Sequence, residues 1–98
     1  MLLNDWSDAT AMAEAVQKKI VSPRELVEAT IREAERTNPK INAIVNQRYE
    51  NALVEAETRD FSDKPFAGVP IFLKDLGQEQ AGEPSTAGSR LFTSYHAK

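Results

Sequence analysis

The sequence predicts an α/β protein whose helices come first and whose earliest strand follows, with these 98 residues themselves mostly helical. Three observations predict it. Apolar residues recur at helical spacing through the first half of the chain. From Gly68 to Leu73 the chain is apolar on both alternating faces, the pattern of a strand covered on two sides. One such strand cannot make a sheet, so its neighbours have to come from further chain. The expected organisation is therefore a helical N-terminal region over residues 1–60 and, over 61–98, the start of a sheet-containing core.

The first helix is carried by Ala9, Met12, Ala13, Val16 and Ile20, with Asp8 or Ser7 as N-cap. Glu14 and Lys18 form an i,i+4 pair of favourable order, and Lys18-Lys19 reads as a solvated helix end. A break follows at Val21-Ser22-Pro23. Ser22 then caps a second helix, Pro23 takes the first helical position, and Glu25 completes a capping box. Leu26, Val27, Thr30, Ile31 and Ala34 line one face, and Asn38-Pro39 is expected to stop the helix. Two capped amphipathic helices in series suggest a helical hairpin, or a clamp on a larger body. Trp6 is a candidate anchor for the N-terminus.

Ile41 to Val45 reads as a short strand or an extended link, and Arg48 to Arg59 as a third helix with Tyr49, Ala52, Leu53 and Ala56 inward. Asp60 to Ala67 is loop, with Asp63 and Pro65 as breakers. In the strand that follows, Val69, Ile71 and Leu73 share one face, while Phe72 and Lys74 share the other. Gly77 to Arg90 is rich in Gly, Ser, Thr and Pro and should be loop, bent at Gly82, Pro84 and Gly88.

Composition narrows the function. Hydrophobic residues are 41% and charged residues 28%, which suits a globular protein. The net charge is −3 and no basic cluster forms, so no nucleic-acid partner is expected. There is no cysteine, which removes disulfides and thiolate metal sites and fits a reducing cytoplasm. The single histidine, His96, cannot supply a typical zinc site and has no serine assigned to it, so it reads as a surface or linker residue. No metal and no cofactor is expected. Met1 to Trp6 is too short and polar for a signal peptide, and no apolar run approaches a membrane span. The expectation is a cytoplasmic protein with no membrane partner.

Lys74 is the candidate catalytic residue. An ammonium at the end of a buried strand is costly unless it is paired, hydrogen-bonded or deprotonated. A desolvated lysine with a lowered proton affinity can serve as a general base. The same position also suits a strand-end lysine that reaches solvent or pairs with Asp75. Asp75 could orient the lysine or cap the turn after it, and residue physics alone leaves both open.

The run Gly68-Val69-Pro70-Ile71-Phe72-Leu73-Lys74-Asp75-Leu76, followed by Pro84-Ser85-Thr86-Ala87-Gly88-Ser89, resembles the start of the amidase signature family. Val21 to Leu26 and Asn38 to Ala43 resemble that family's N-terminal region, so the likeness spans nearly the whole chain. It implies a mixed-sheet α/β fold and hydrolysis of linear carboxylic amides by a Ser–Ser–Lys triad. The lysine takes the position of Lys74 and works through a bridging serine in a cis peptide to activate a nucleophilic serine. A serine hydroxyl is a weak nucleophile until a base takes its proton, and a neutral lysine can do so without histidine. The family's Gly- and Ser-rich segment, which carries both serines and the oxyanion-hole amides, corresponds to nothing here. Ser85, Ser89 and Ser94 match neither serine. The expectation is an N-terminal piece of an amidase, inactive alone, whose complete protein takes a small-molecule amide.

Two other functions compete. One is the amidotransferase subunit that acts on misacylated tRNA, although that subunit commonly continues Lys-Asp with Asn where this chain has Leu76. The other is a non-catalytic helical module that associates with itself through exposed apolar faces and an unpaired strand. The binding residues and the amide substrate are not legible in these residues.

Overall fold

The computed structural model describes residues 7–98. Their regular structure consists of three α-helices, α1 (Ala9–Gln17), α2 (Pro23–Ile41) and α3 (Tyr49–Thr58), and a 3-10 turn at Arg90–Phe92. The chain forms two compact units. The first runs to Ala43 and resumes over Gln47–Pro70; the second comprises Ile44–Asn46 and Ile71–Lys98. Met1 to Trp6 lie outside the described residues, and with them the expected Trp6 anchor.

In the first unit, local chemistry sets most helix ends. Asp8 caps α1, its carboxylate accepting from the Ala11 amide at 2.8 Å. The helix stops sooner than its apolar spacing suggests, because Lys19 turns left-handed at φ 59°. Ile20 is consequently outside the helix and half exposed. Lys18 is the C-cap and reaches Glu14 at 2.6 Å, as the i,i+4 spacing predicts. The α2 capping box is complete. The Ser22 hydroxyl accepts from the Glu25 amide and the Glu25 carboxylate accepts from the Ser22 amide, both at 3.1 Å.

Asn38-Pro39 does not stop α2, which continues through Pro39 to Ile41. Proline removes the bond to the carbonyl of residue i−4, here Glu35. Both residues are exposed, so that carbonyl can be met by water. Asn38 then closes the helix from within. Its carbonyl accepts from the Asn42 amide at 2.6 Å and its side chain from the Ala43 amide at 2.8 Å, with Asn42 left-handed at φ 50°. Ile41 to Val45 forms no strand; after Ile41 the chain is a link.

Leu26, Val27 and Ala34 of α2 are buried, with Ala13 and Ala15 of α1. The main helix pair is α2 with α3 rather than α1 with α2. α1 has 9 residues and buries only alanines, whereas α2 has 19 and buries Leu26 and Val27 as well as Ala34. Arg24 joins the pair, bonding Glu28 at 2.7 Å and Glu57 of α3 at 2.6 Å. Arg48 meets Glu55 at 2.9 Å, and that guanidinium holds the Glu55 carboxyl below its usual range.

Gly68 brings the chain back onto these helices. Its φ is +80°, and a Cβ there would lie 2.7 Å from Pro23 Cγ and 3.4 Å from Val16 Cγ1. Only glycine combines that dihedral with that approach. Gly68→Ala should cost about 1–3 kcal/mol, the range for a non-glycine forced into such a conformation. An unchanged urea midpoint would show that the loop moves away freely.

The expected strand over residues 69–74 is not formed. None of these residues belongs to a strand, and Ile71, Phe72 and Leu73 are all exposed. Among the described residues the β pairing consists of an isolated antiparallel bridge, Pro84 with His96. A strand is defined by its partner's main chain, and none of the described residues pairs with this segment in a ladder.

Candidate active site

The second unit holds Lys74 and the loop after it. The Lys74 amide donates to Gln78 Oε1 at 2.9 Å, and the chain turns at Asp75-Leu76-Gly77, with Gly77 at φ 80°. The Lys74 side chain is exposed and, among the described residues, bonds no carboxylate. It forms no ion pair with its neighbour Asp75.

Asp75 looks elsewhere. Its Oδ1 accepts from the Thr86 amide at 2.8 Å, and its Oδ2 accepts from the Thr86 hydroxyl. The Thr86 hydroxyl in turn accepts from the Gly88 amide at 3.3 Å. Ala87 and Gly88 are both left-handed, at φ 50° and 72°, which turns successive amides toward one side. The Asp75 carboxyl is held below its ordinary range, first by the Thr86 hydroxyl, then by the Thr86 amide, with the Ala87 and Gly88 amides adding to them. The two motifs in the family resemblance, the lysine segment and Thr86-Ala87-Gly88-Ser89, are thus tied directly to each other.

A depressed folded-state pKa means stability that is full above the unfolded value and lost as pH falls through the folded one. For Asp75 the unfolded value is near 3.8. The Thr86 and Gly88 amide resonances should therefore stay constant down to that range and shift only below it. A midpoint at or above the ordinary aspartate value would show that the Thr86 bonds do not hold the carboxylate.

The remaining polar groups have structural work. The Ser89 hydroxyl accepts from the Leu91 amide at 3.2 Å and opens the 3-10 turn. Ser85 donates its amide to the Tyr95 carbonyl at 3.4 Å. His96 is exposed, its Nδ1 3.3 Å from the Ser94 carbonyl. Gly82 and Ala97 close the far end, the Gly82 amide bonding the Ala97 carbonyl at 2.7 Å and the Ala97 amide the Glu83 carbonyl at 3.0 Å. An open recess of about 250 Å³ is lined by Gly77, Glu79, Ser85, Ala87, Phe92 and Tyr95; Lys74 is not among its walls. Among the described residues no cluster of His, Asp and Glu suits a metal ion.

Sequence reasoning left Asp75 between two roles and did not pair it with Thr86. Eleven residues separate them, so no helical or strand spacing rule connects the two. The one available signal was an aspartate and a threonine each placed two residues before a turn glycine, Gly77 and Gly88.

The sequence and the fold that hold this arrangement have relatives among known proteins. The amidase family model matches residues 25–98, and the chain belongs to that family. It is 42% identical over 86 residues to the lipoamidase of Enterococcus faecalis, covering 86% of this chain and 12% of that protein. It is 44% identical over 82 residues to the 6-aminohexanoate-cyclic-dimer hydrolase of Paenarthrobacter ureafaciens, covering 84% of this chain and 16% of that one. Among solved structures, a bacterial aryl acylamidase of the amidase signature family superposes with a TM-score of 0.74 at 32% identity, over 94% of this chain and 20% of its own. The chain thus spans one fifth or less of the length of these relatives. No described helix is long and apolar enough to cross a membrane.

Proposed function

We propose that these residues are the N-terminal part of an amidase-signature hydrolase that cleaves a small-molecule linear amide, with Lys74 as its general base. The observation that carries this reading is the bonded pairing of the Lys74-Asp75 segment with Thr86-Ala87-Gly88-Ser89, within residues that match the family model. In the complete protein, Lys74 takes the proton of a bridging serine, which takes that of the nucleophilic serine. The nucleophile attacks the amide carbonyl, the amine departs with a proton, and water releases the acyl group. The serines and the oxyanion-hole donors are supplied by other segments, because Ser85, Ser89 and Ser94 match neither serine position of the family motif. These 98 residues alone therefore hydrolyse no amide by this route.

The same reading places the apolar run 69–74 inside a mixed sheet completed by other segments of that protein, which accounts for its exposure here. A hydrolase is favoured over the tRNA amidotransferase subunit by Leu76, where that subunit commonly has Asn. Comparing amide turnover by the complete protein with that of its Lys74→Ala variant tests the assignment.

A further inference from the structure

We propose that Asp75 and Thr86 are a positioning pair for Lys74: Thr86 takes both oxygens of the Asp75 carboxylate, which fixes the main chain beside the lysine and keeps that carboxylate off its amine. The inference rests on Lys74 being the base.

The geometry has two parts. The Cα atoms of Lys74 and Asp75 are one trans peptide apart, about 3.8 Å, so whatever anchors one anchors the other. Asp75 is anchored by two bonds to Thr86, and Lys74 by its own amide to Gln78 at 2.9 Å. The root of the lysine side chain is therefore held from two directions by residues outside its own turn. A lysine stem has four rotatable carbons, and a base must come within hydrogen-bond reach of the proton it takes. Fixing the root is what a neighbouring residue can contribute.

The second part is electrostatic. A carboxylate beside a lysine stabilises the ammonium and so opposes its use as a base. Sequence adjacency makes Asp75 the nearest such carboxylate. Its oxygens instead accept from the Thr86 amide and hydroxyl, and Lys74 and Asp75 form no ion pair. The Thr86 hydroxyl is itself fixed by the Gly88 amide at 3.3 Å, so it donates toward Asp75 in a set direction. Left-handed Ala87 and Gly88 add amides that favour the same negative charge. The loop thus acts as a holder for the aspartate, and the lysine amine stays free of it.

The test uses the complete protein and a fluorophosphonate probe, which needs no knowledge of the amide substrate. The activated serine oxygen displaces fluoride from phosphorus, and the serine proton passes to the base. Asp75→Asn and Thr86→Val should each lower kinact by about 10- to 100-fold, the cost of a small misplacement, with KI little changed. Thr86→Ser, which keeps the hydroxyl, should label near the wild-type rate. The double variant should be no slower than the worse single one, because the two residues share one interaction.

Wild-type labelling by Thr86→Val overturns the proposal. So does a Thr86→Ser protein as slow as Thr86→Val, or a change confined to KI. Circular dichroism and the thermal transition are recorded for each variant. A Thr86→Val protein that fails to fold shows the pair to be structural and also overturns it. Lys74→Ala separates the two levels. Labelling of Lys74→Ala at the wild-type rate removes the base itself. A slow Lys74→Ala beside normal Asp75→Asn and Thr86→Val removes the positioning pair alone.

Discussion

With Lys74 as the proposed base, Lys74→Ala in the complete protein should lower amide turnover by about 10²–10⁴-fold, the usual contribution of a positioned general base. Its thermal transition should stay where it is. The second expectation comes from the main chain: removing the amine leaves the Lys74 amide on Gln78 and Asp75 on Thr86, the bonds that hold this turn. Lys74→Arg should fail almost as badly, because a guanidinium does not give up its proton in a protein and cannot act as a base. Steady-state kinetics on an amide, with calorimetry of the same samples, checks both halves. Normal turnover in Lys74→Ala would remove the lysine from the mechanism, and a collapsed thermal transition would make it structural.

Leu26→Ala should destabilise the protein by about 2–3 kcal/mol, toward the lower end of the range for leucine truncations in a core. Leu26 is 5% exposed and sits in the first turn and a half of α2, beside Val27. The lower end is apt because the surrounding core is small. It consists largely of alanines and a few aliphatic side chains, so a truncated site can partly collapse. Arg32→Ala, on the exposed side of the same helix, should stay within about 0.5 kcal/mol of wild type. Equal urea midpoints for the two variants would mean that the α2 stripe is not the core of the first unit.

The parts of the fold legible in the sequence are those fixed within one turn of chain. Ser22, Pro23 and Glu25 fall within four consecutive positions, and the capping box they predict is present in both bonds. Asp8 as a cap, Glu14 with Lys18 and the bends at Gly82 and Gly88 were legible for the same reason. Pro39 shows where a local rule is outweighed. The disfavoured conformation before proline is a cost, and the Asn38 side chain together with the left-handed Asn42 offsets it. Ile20 shows the reverse, an apolar residue at helical spacing that a left-handed Lys19 puts outside the helix.

The sequence by itself determined the family and the capped starts of α1 and α2, and it put Lys74 forward for the proposed chemistry. Each of these is written in residue type and short spacing. Only the tertiary structure decided that α2 packs on α3, that residues 69–74 stand without a ladder, and that Asp75 turns to Thr86 rather than to Lys74. The physical reason is common to all three. Each depends on which distant group reaches a given atom first, and a one-dimensional pattern records a side chain's needs without recording what arrives to meet them.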